Sequence, residues 1–409
     1  MNNTEAKLLE AFSCALHDEH VQWAEPIQND DWLRLLRLAS ENRLLPMIAQ
    51  ATYLSPAVTS SARRAEYLTR KAKSETLAQA KQTAEFTLFY RYLAGKGLLP
   101  IVTKGIMCRE LYPHPDQRIS VDEDLLVDPD DFMRYHQALE DYGFELYDPD
   151  SRLDVDHEVA YKHPDNHMYI EVHKCFFPPD SEAYGDCNAA LEHAAERSVE
   201  VNVWGVTMRT LAPTDHLLYL ILHAYKHFLH SGVGIRQIAD INMFAKHYSA
   251  EIDWERIGTE CKKLRIDRMT AAMFGIGREY LGFEERPSCF ADNEIDVEPL
   301  LEDIITGGLY GTNDINRLHS SNMTLDAVAA QKNGRKARST LKSLFPSAAA
   351  LESRYAYLRR KPWLLPAAWV QRAWRYMIKR ENGPVSPAES LKIGKNRIAL
   401  LQQYGIIDS

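Results

Sequence analysis

The 409-residue sequence predicts an α+β protein in which a short mixed run of strands and helices sits between two helical regions. Three observations predict it. Residues 4–95 carry apolar side chains at helical spacing with no strong strand pattern. Residues 96–210 break into short apolar runs punctuated by glycine and proline, and from about 214 the helical spacing returns.

In "DWLRLLRLASENRLLPMIAQATYL", Trp32, Leu33, Leu36, Leu44 and Met47 recur at helical intervals, and the stretch beginning "SSARRAEYLTRKAKSE" reads as one long helix ending near Gly95 or Gly97. "LLPIVTKG" is a short strand broken by Gly105, and "IMCRELYP" is a helical turn stopped by Pro113. "ISVDEDLLV" is the next strand. "PDDFMRYHQALEDYGF" is a helix started by Pro129 and Asp130 and closed by Gly143. "VDHEVAYKHP" and "NHMYIEVHKCFF" are two strands around the turn "PDN". "TLAPTDHLLYLILHAYKHFLH" is a helix capped by Thr214 and broken near Gly232 and Gly234, with further helices to about 285. The predicted organisation is a helical region 1–95, an α/β core 96–210, a helical region 211–330 that closes a cleft, and a basic, Trp-rich segment 331–409.

Composition narrows the function. Apolar and charged fractions of 45% and 26% are those of an ordinary soluble protein. No stretch approaches the ~20 apolar residues of a membrane span. The start "MNNTEAKLLE" lacks the basic and apolar parts of a signal peptide, which places the protein in the cytoplasm. Six scattered cysteines without a CxxC pair argue against a thiolate zinc site and suit free thiols in a reducing compartment. The net charge is −9, yet residues 332–380 hold thirteen Lys or Arg against one acid, Glu352. Such an acidic body repels nucleic acid, and no RNA-binding module is recognisable. Prolines 362 and 366 interrupt any membrane-surface helix, so Trp363, Trp369 and Trp374 with their basic neighbours are expected to strap onto the acidic body near the acceptor side.

The chemistry centres on "RISVDEDLLVDP". Alternation puts Asp122 and Asp124 on one strand face, with Glu123 opposite. Two adjacent carboxylates repel unless a cation lies between them, and magnesium suits such a pair. The bland alternative is a solvated strand end. In "MYIEVHK", Glu171 lies on a polar face of an otherwise apolar strand, and a third carboxylate would complete a site of the kind used for in-line phosphoryl displacement. His173 binds phosphate or moves a proton, or is simply a histidine bonded to backbone. Lys104-Gly105, between strand and helical turn, combines a point charge with an amide-lined approach for phosphate, at a spacing that is not the P-loop's. On helix 214–230, His216, His223, His227 and His230 form a stripe. His223 and His227 are spaced to bind a metal, but the stripe has no acid and Lys226 is close, which favours a face closing over nucleotide or acceptor. Arg236 and Asp240 are spaced as a surface ion pair.

"LLPIVTKGIMCRELYPHPDQRISVDEDLLVD" followed by "DHEVAYKHPDNHMYIEVHKCFF" resembles the bacterial nucleotidyltransferase-like family of the polymerase-beta superfamily. The matching residues are Lys104-Gly105, Leu111 to Pro113, Arg118, Asp122 to Val127, His157, and Glu171 with His173. The ends "WLRLLRLASENRLLPMI" and "LFPSAAALESRYAYLRRKPWLLPAAWVQRAW" are similar too. Lys104-Gly105 replaces the superfamily's glycine–serine, Glu123 stands at a usually apolar position, and Lys174 stands where relatives often have tryptophan. The resemblance implies a polymerase-beta-like core, a small mixed sheet with helices, that transfers a nucleoside monophosphate from a nucleoside triphosphate to an unidentified acceptor. That acceptor is a protein, small molecule or peptide product rather than nucleic acid. By the same likeness Asp122 and Asp124 ligate Mg2+ or Mn2+, and Glu171 is a ligand or the base. Lys104, Gly105, Arg118 and His173 meet the nucleotide, while His157, His223, His227, Arg236 and Asp240 are second-tier. Two other readings remain: a nucleotide-binding regulatory protein of this fold without turnover, and a histidine-based metal phosphohydrolase.

Overall fold

The computed structural model describes residues 1–408 except 231, 285–286, 291–294, 308–314, 336–356 and 379–386. The N-terminal region is helical, as its spacing predicts: α1 (Asn3–Leu16), α2 (Asn29–Glu41), α3 (Leu45–Thr52), α4 (Pro56–Thr59) and the long α5 (Ala62–Gly95). Asn2 opens α1 with a capping box to Glu5.

A seven-stranded mixed sheet follows: β1 (Ile101–Val102), β2 (Asp122–Leu126), β3 (Glu145–Leu146), β4 (Glu158–Lys162), β5 (Tyr169–His173), β6 (Val199–Val203) and β7 (Val206–Thr210), in the spatial order β3-β4-β5-β2-β1-β7-β6. β2 runs parallel to β5, and β1 parallel to β7. Together these elements establish the α+β class. Sequence reading missed the β6–β7 hairpin. Its signal is the alternation of "VEVNVWGVTMRT", turning at Trp204 and Gly205, both at positive φ as a tight hairpin requires.

The two faces of the sheet have different fates. Leu125, Val127, Val159, Tyr161, Ile170 and Val172 point into an apolar core shared with Phe86, Phe89 and Leu93 of α5 and with α7 (Phe132–Tyr142). Gly143 ends α7 in the left-handed conformation. The opposite face carries Leu126 and Ile101 under α9 (Pro213–Leu229), then turns polar along β2, β5 and β4. α9 starts two residues earlier than Thr214 capping implies. Ala212 is the cap and Pro213 takes the first helical position, where its missing N–H costs nothing. α10 (Ile235–His247), α11 (Trp254–Lys263) and α12 (Asp267–Tyr280) complete this side. One apolar core joins α1–α3, α9–α12 and the end of helix Pro387–Gln403, so the two helical regions pack as a single layer.

Arg397 of that last helix is buried and donates to the carbonyls of Phe228 and His230, supplying partners at the C-terminus of α9. Much of the expected basic strap lies outside the described residues, including residues 336–356 and the side chain of Trp374. Trp363 is exposed (72%), contrary to a buried tryptophan, and Leu358 and Ala368 form a small cluster of their own with Tyr357, Leu364 and Leu365. The six cysteines are free, and no helix among the described residues is long and apolar enough to cross a membrane.

Arg236 and Asp240 are not a surface pair; both are buried. Asp240 receives a two-pronged contact from Arg118 (Nε to Oδ1 2.7 Å, Nη2 to Oδ2 2.6 Å) and a hydrogen bond from the Tyr112 hydroxyl at 2.7 Å. Arg236 donates instead to the carbonyl of Ile119. The segment before β2 is thereby locked to α10. Replacing one partner leaves the other charge buried and alone, at a cost of about 3–5 kcal/mol, whereas an apolar pair of similar volume is better tolerated. Asp240→Leu is therefore expected to lower stability by several kcal/mol in denaturant unfolding, and Arg118→Met with Asp240→Leu to recover part of that loss. If Arg118→Met alone leaves stability unchanged, the pair is not the lock described.

Candidate functional site

The site follows from strand registry. In the parallel β2–β5 ladder, Asp122 lies opposite Tyr169, Asp124 opposite Glu171, and Leu126 opposite His173. On the other side of β5, antiparallel β4 sets Glu158 opposite His173. Paired residues share a face, so Asp122, Asp124, Glu171, His173 and Glu158 converge on the polar side of the sheet. The spacing of the two acidic motifs in the sequence anticipates this face; Glu158 was not singled out, because it meets His173 only through the register of the β4–β5 hairpin.

Lys104 reaches in from the end of β1. Its Nζ lies 3.1 Å from Asp122 Oδ2 and 2.7 Å from Asp124 Oδ2, answering the repulsion between the two carboxylates. Asp124 is almost fully buried (1%), and its other oxygen, Oδ1, faces Nε2 of His173 at 3.7 Å. The same Nε2 is 3.7 Å from Glu171 Oε2, and His173 Nδ1 is 3.5 Å from Glu158 Oε2. Asp124 Oδ1 and both ring nitrogens of His173 are buried without a hydrogen-bond partner. Ligand atoms of Asp124, Glu171 and His173 all lie within 4.8 Å of one another. Of the three carboxylates expected to share a metal, Asp124 and Glu171 thus meet, His173 takes the third place, and Asp122 stands beside them on Lys104.

Proton affinities follow from this crowding. Burial pushes Glu171 up to about 8, reinforced by Asp124, Glu158 and Asp122. Burial alone would raise Asp124, but Lys104 and then His173 outweigh it and hold the carboxyl well below the usual range. For His173, burial opposes the proton, yet Glu158, Asp124 and Glu171 together raise its affinity.

The helical turn after Gly105, α6 (Ile106–Arg109), does not offer a free anion site. Glu123, on the reverse face of β2, accepts from the Ile106 amide at 2.8 Å and pairs with buried Arg109. Gly105 has φ +61°, and a Cβ there would sit 1.9 Å from Glu123 Oε2. This glycine lets the chain turn beneath Glu123 and carry Lys104 into the site. Arg118 is committed to Asp240 and Ser120, and with Lys104, Gly105 and Asp122 it lines a small pocket beside the cleft.

α9 roofs the polar face. His216 donates to the carbonyl of Thr103 at 2.7 Å, His223 Nε2 lies 3.5 Å from Lys104 Nζ, and Lys226 Nζ lies 3.7 Å from Glu158. His230 bonds the Tyr184 hydroxyl at 2.8 Å. The histidine stripe therefore divides: His216 and His230 tie the helix down, while His223 and His227 look into the cleft with rings 4.4 Å apart. Burial, then Lys104, drives both well below the usual imidazole range. His157 is partly buried beside Glu158, where burial lowers its proton affinity.

Beyond these groups opens a cleft of about 910 Å³, lined by Lys104, Asp122, Glu158, Glu171, His223, Lys226 and His227 on one side. Tyr147, Lys162, His167 and Tyr169 line it at the sheet edge, and Ser40, Glu41, Arg43 and Glu75 line it from α2, its end and α5. Sequence reading did not single out Arg43, Tyr147, Lys162 or Tyr169, because nothing local marks them. They become neighbours only when α2 and the sheet edge fold against each other.

No curated protein and no solved structure matches the chain. Residues 28–282 match a family model described as uncharacterised nucleotidyltransferase, from α2 through α12 and across every side chain placed in the site above. With more than half its length so matched, the protein belongs to this uncharacterised nucleotidyltransferase family.

Proposed function

We propose that the cleft transfers a nucleoside monophosphate from a nucleoside triphosphate to a hydroxyl-bearing acceptor, on a polymerase-beta-like core. The observation that carries this reading is the β2–β5 register, which gathers Asp122, Asp124 and Glu171 on one face at the floor of an open cleft. The donor set fits a divalent ion such as Mg2+ or Mn2+: carboxylate oxygens, one of which, Asp124 Oδ1, is buried without a hydrogen-bond partner. Asp124 and Glu171, with Asp122 beside them, would hold it. When bound, such an ion neutralises charge on the triphosphate and on the departing pyrophosphate.

The chain's own residues do the rest. In the transfer, an acceptor oxygen bonds to the α-phosphorus as the bond to the pyrophosphate oxygen breaks, and the acceptor's proton must leave. Glu171 lines the cleft, and its oxygen not engaged with the ion takes that proton. Lys104 brings a cation to the floor of the cleft, and Lys226 and Arg43 add positive charge around its walls for a polyanionic substrate. The buried roof of α9 keeps water from Asp124, which strengthens its pairing with Lys104. A second reading, nucleotide binding without turnover, draws on Lys104, whose ammonium already neutralises Asp122 and Asp124. Magnesium-dependent triphosphate binding with no pyrophosphate release would favour it.

Incubation with each labelled nucleoside triphosphate and Mg2+, alone and with cell lysate, tests the transfer directly. Labelled protein or product together with released pyrophosphate is the expected result. Asp124→Asn should abolish turnover while circular dichroism and the melting transition still show a folded chain. An active Asp124→Asn protein would remove this aspartate from the chemistry. Lys104→Gln should raise the Kd for the triphosphate about tenfold or more, the scale of one lost charge-assisted hydrogen bond. Equal affinity in mutant and parent would take Lys104 away from the phosphates.

A further inference from the structure

We propose that the divalent cation is gripped by a mixed oxygen–nitrogen triad, Asp124, Glu171 and His173, oriented by Glu158, and that the site consequently favours a first-row transition ion such as Mn2+ over Mg2+. The proposal deepens the transferase reading and shares its cleft, but it concerns metal capture alone.

Four observations converge on it. Lys104 occupies Oδ2 of both aspartates, which commits Asp122 and leaves Asp124 Oδ1 turned toward the His173 ring. The His173 Nε2 atom is 3.7 Å from Asp124 Oδ1 and 3.7 Å from Glu171 Oε2. Metal–ligand bonds of about 2.0–2.2 Å set neighbouring ligand atoms roughly 3–3.6 Å apart, so a small inward movement of these side chains closes the triad on one ion. Those gaps are too long for hydrogen bonds, and Asp124 and His173 are both more than nine-tenths buried, with no hydrogen-bond partner at Asp124 Oδ1 or at His173 Nε2. Two buried, unpartnered polar groups aimed at one point are costly unless something comes to sit there. Finally, the far nitrogen of the ring, Nδ1, faces Glu158 at 3.5 Å, and Glu158 is itself 3.7 Å from Lys226. A carboxylate behind an imidazole is the arrangement that fixes a metal-bound histidine and keeps Nε2 free for the ion.

Ion choice follows from the nitrogen. Mg2+ takes oxygen ligands and keeps several waters, gaining little from an imidazole, whereas Mn2+ accepts carboxylates and imidazole together. Glu158, one strand away from the acidic motifs, acquires a role as a positioning residue.

Calorimetric titration of the full-length, nucleotide-free protein with Mn2+ and with Mg2+, joined to pulsed electron paramagnetic resonance of the Mn2+ form, tests this without reference to turnover. Mn2+ is expected to bind at least tenfold more tightly than Mg2+ and to show nitrogen coupling from a directly bound ring. His173→Gln should lose that coupling and erase the preference. Glu158→Gln should keep the coupling while weakening Mn2+ binding about tenfold, the usual scale for a partner behind the ligand. Equal affinity for the two ions, or bound Mn2+ without nitrogen coupling in the parent protein, overturns the proposal, and that measurement stands even if His173→Gln fails to fold. Nitrogen-coupled Mn2+ in a protein that transfers no nucleotide would sink the transferase reading and leave the triad intact; turnover without coupling would do the reverse.

Discussion

Everything around the cleft answers one constraint: the parallel pairing of β2 with β5 forces acidic side chains together inside the protein. Once Asp124 lies opposite Glu171, with Asp122 two residues before it and Glu158 across β5, four carboxylates share one sheet face. Buried carboxylates are tolerable only when they are paired, protonated or bound to a cation. Pairing is plain in the structure. Lys104 is carried in on the Gly105 turn, His173 stands among Asp124, Glu171 and Glu158, and Lys226 approaches Glu158 from α9. Glu171, the carboxylate with no cation of its own beyond the shared imidazole, is the one whose proton affinity climbs.

The rest of the fold holds this arrangement against its own repulsion. Glu123 on the reverse face of β2 pins the turn that carries Lys104, through the Ile106 amide and Arg109. Arg118, Tyr112 and Asp240 lock the approach to β2 onto α10, and His216 ties α9 to the carbonyl of Thr103 next to Lys104. Arg397 then secures the far end of α9 from the last helix of the chain. Several charged residues that look surface-exposed by their chemistry are in fact buried struts, each with its counter-charge or carbonyl.

This explains which parts of the molecule were legible in the sequence. Helical spacing showed the N-terminal region and α9, and alternation showed β2, β4 and β5, because those patterns are local. The family resemblance singled out Lys104, Arg118, Asp122, Asp124, Glu171, His173, Arg236 and Asp240, but a pattern of letters does not separate ligand from strut. Arg118 and Asp240 are 122 positions apart and meet only through the packing of α10 on the β2 approach. Arg236 and Asp240, four apart on one helix, suggest a mutual ion pair, yet both side chains turn inward to other partners. Gly105 reads as a phosphate loop until Glu123 is seen beneath it; the glycine is needed because any side chain would strike that carboxylate. The wall formed by Arg43 and Glu75 is tertiary in origin, and no local pattern encodes it.

The same geometry sets how the cleft divides its labour. Asp124 is sealed from solvent, while Asp122 and Glu171 remain partly open to the cavity (14% and 22% side-chain exposure). A group that must keep its charge and orientation benefits from burial, because a low-dielectric setting strengthens its pairing with Lys104 and keeps competing water away. A group that must exchange a proton or meet a substrate needs access. The closed side of the site holds Asp124 and His173, beneath α9. The open side runs from Asp122 and Lys104 past Glu171 to Tyr169 and Tyr147 at the sheet edge. Where α9 crosses the sheet thus decides which of these groups are sealed and which meet the cavity.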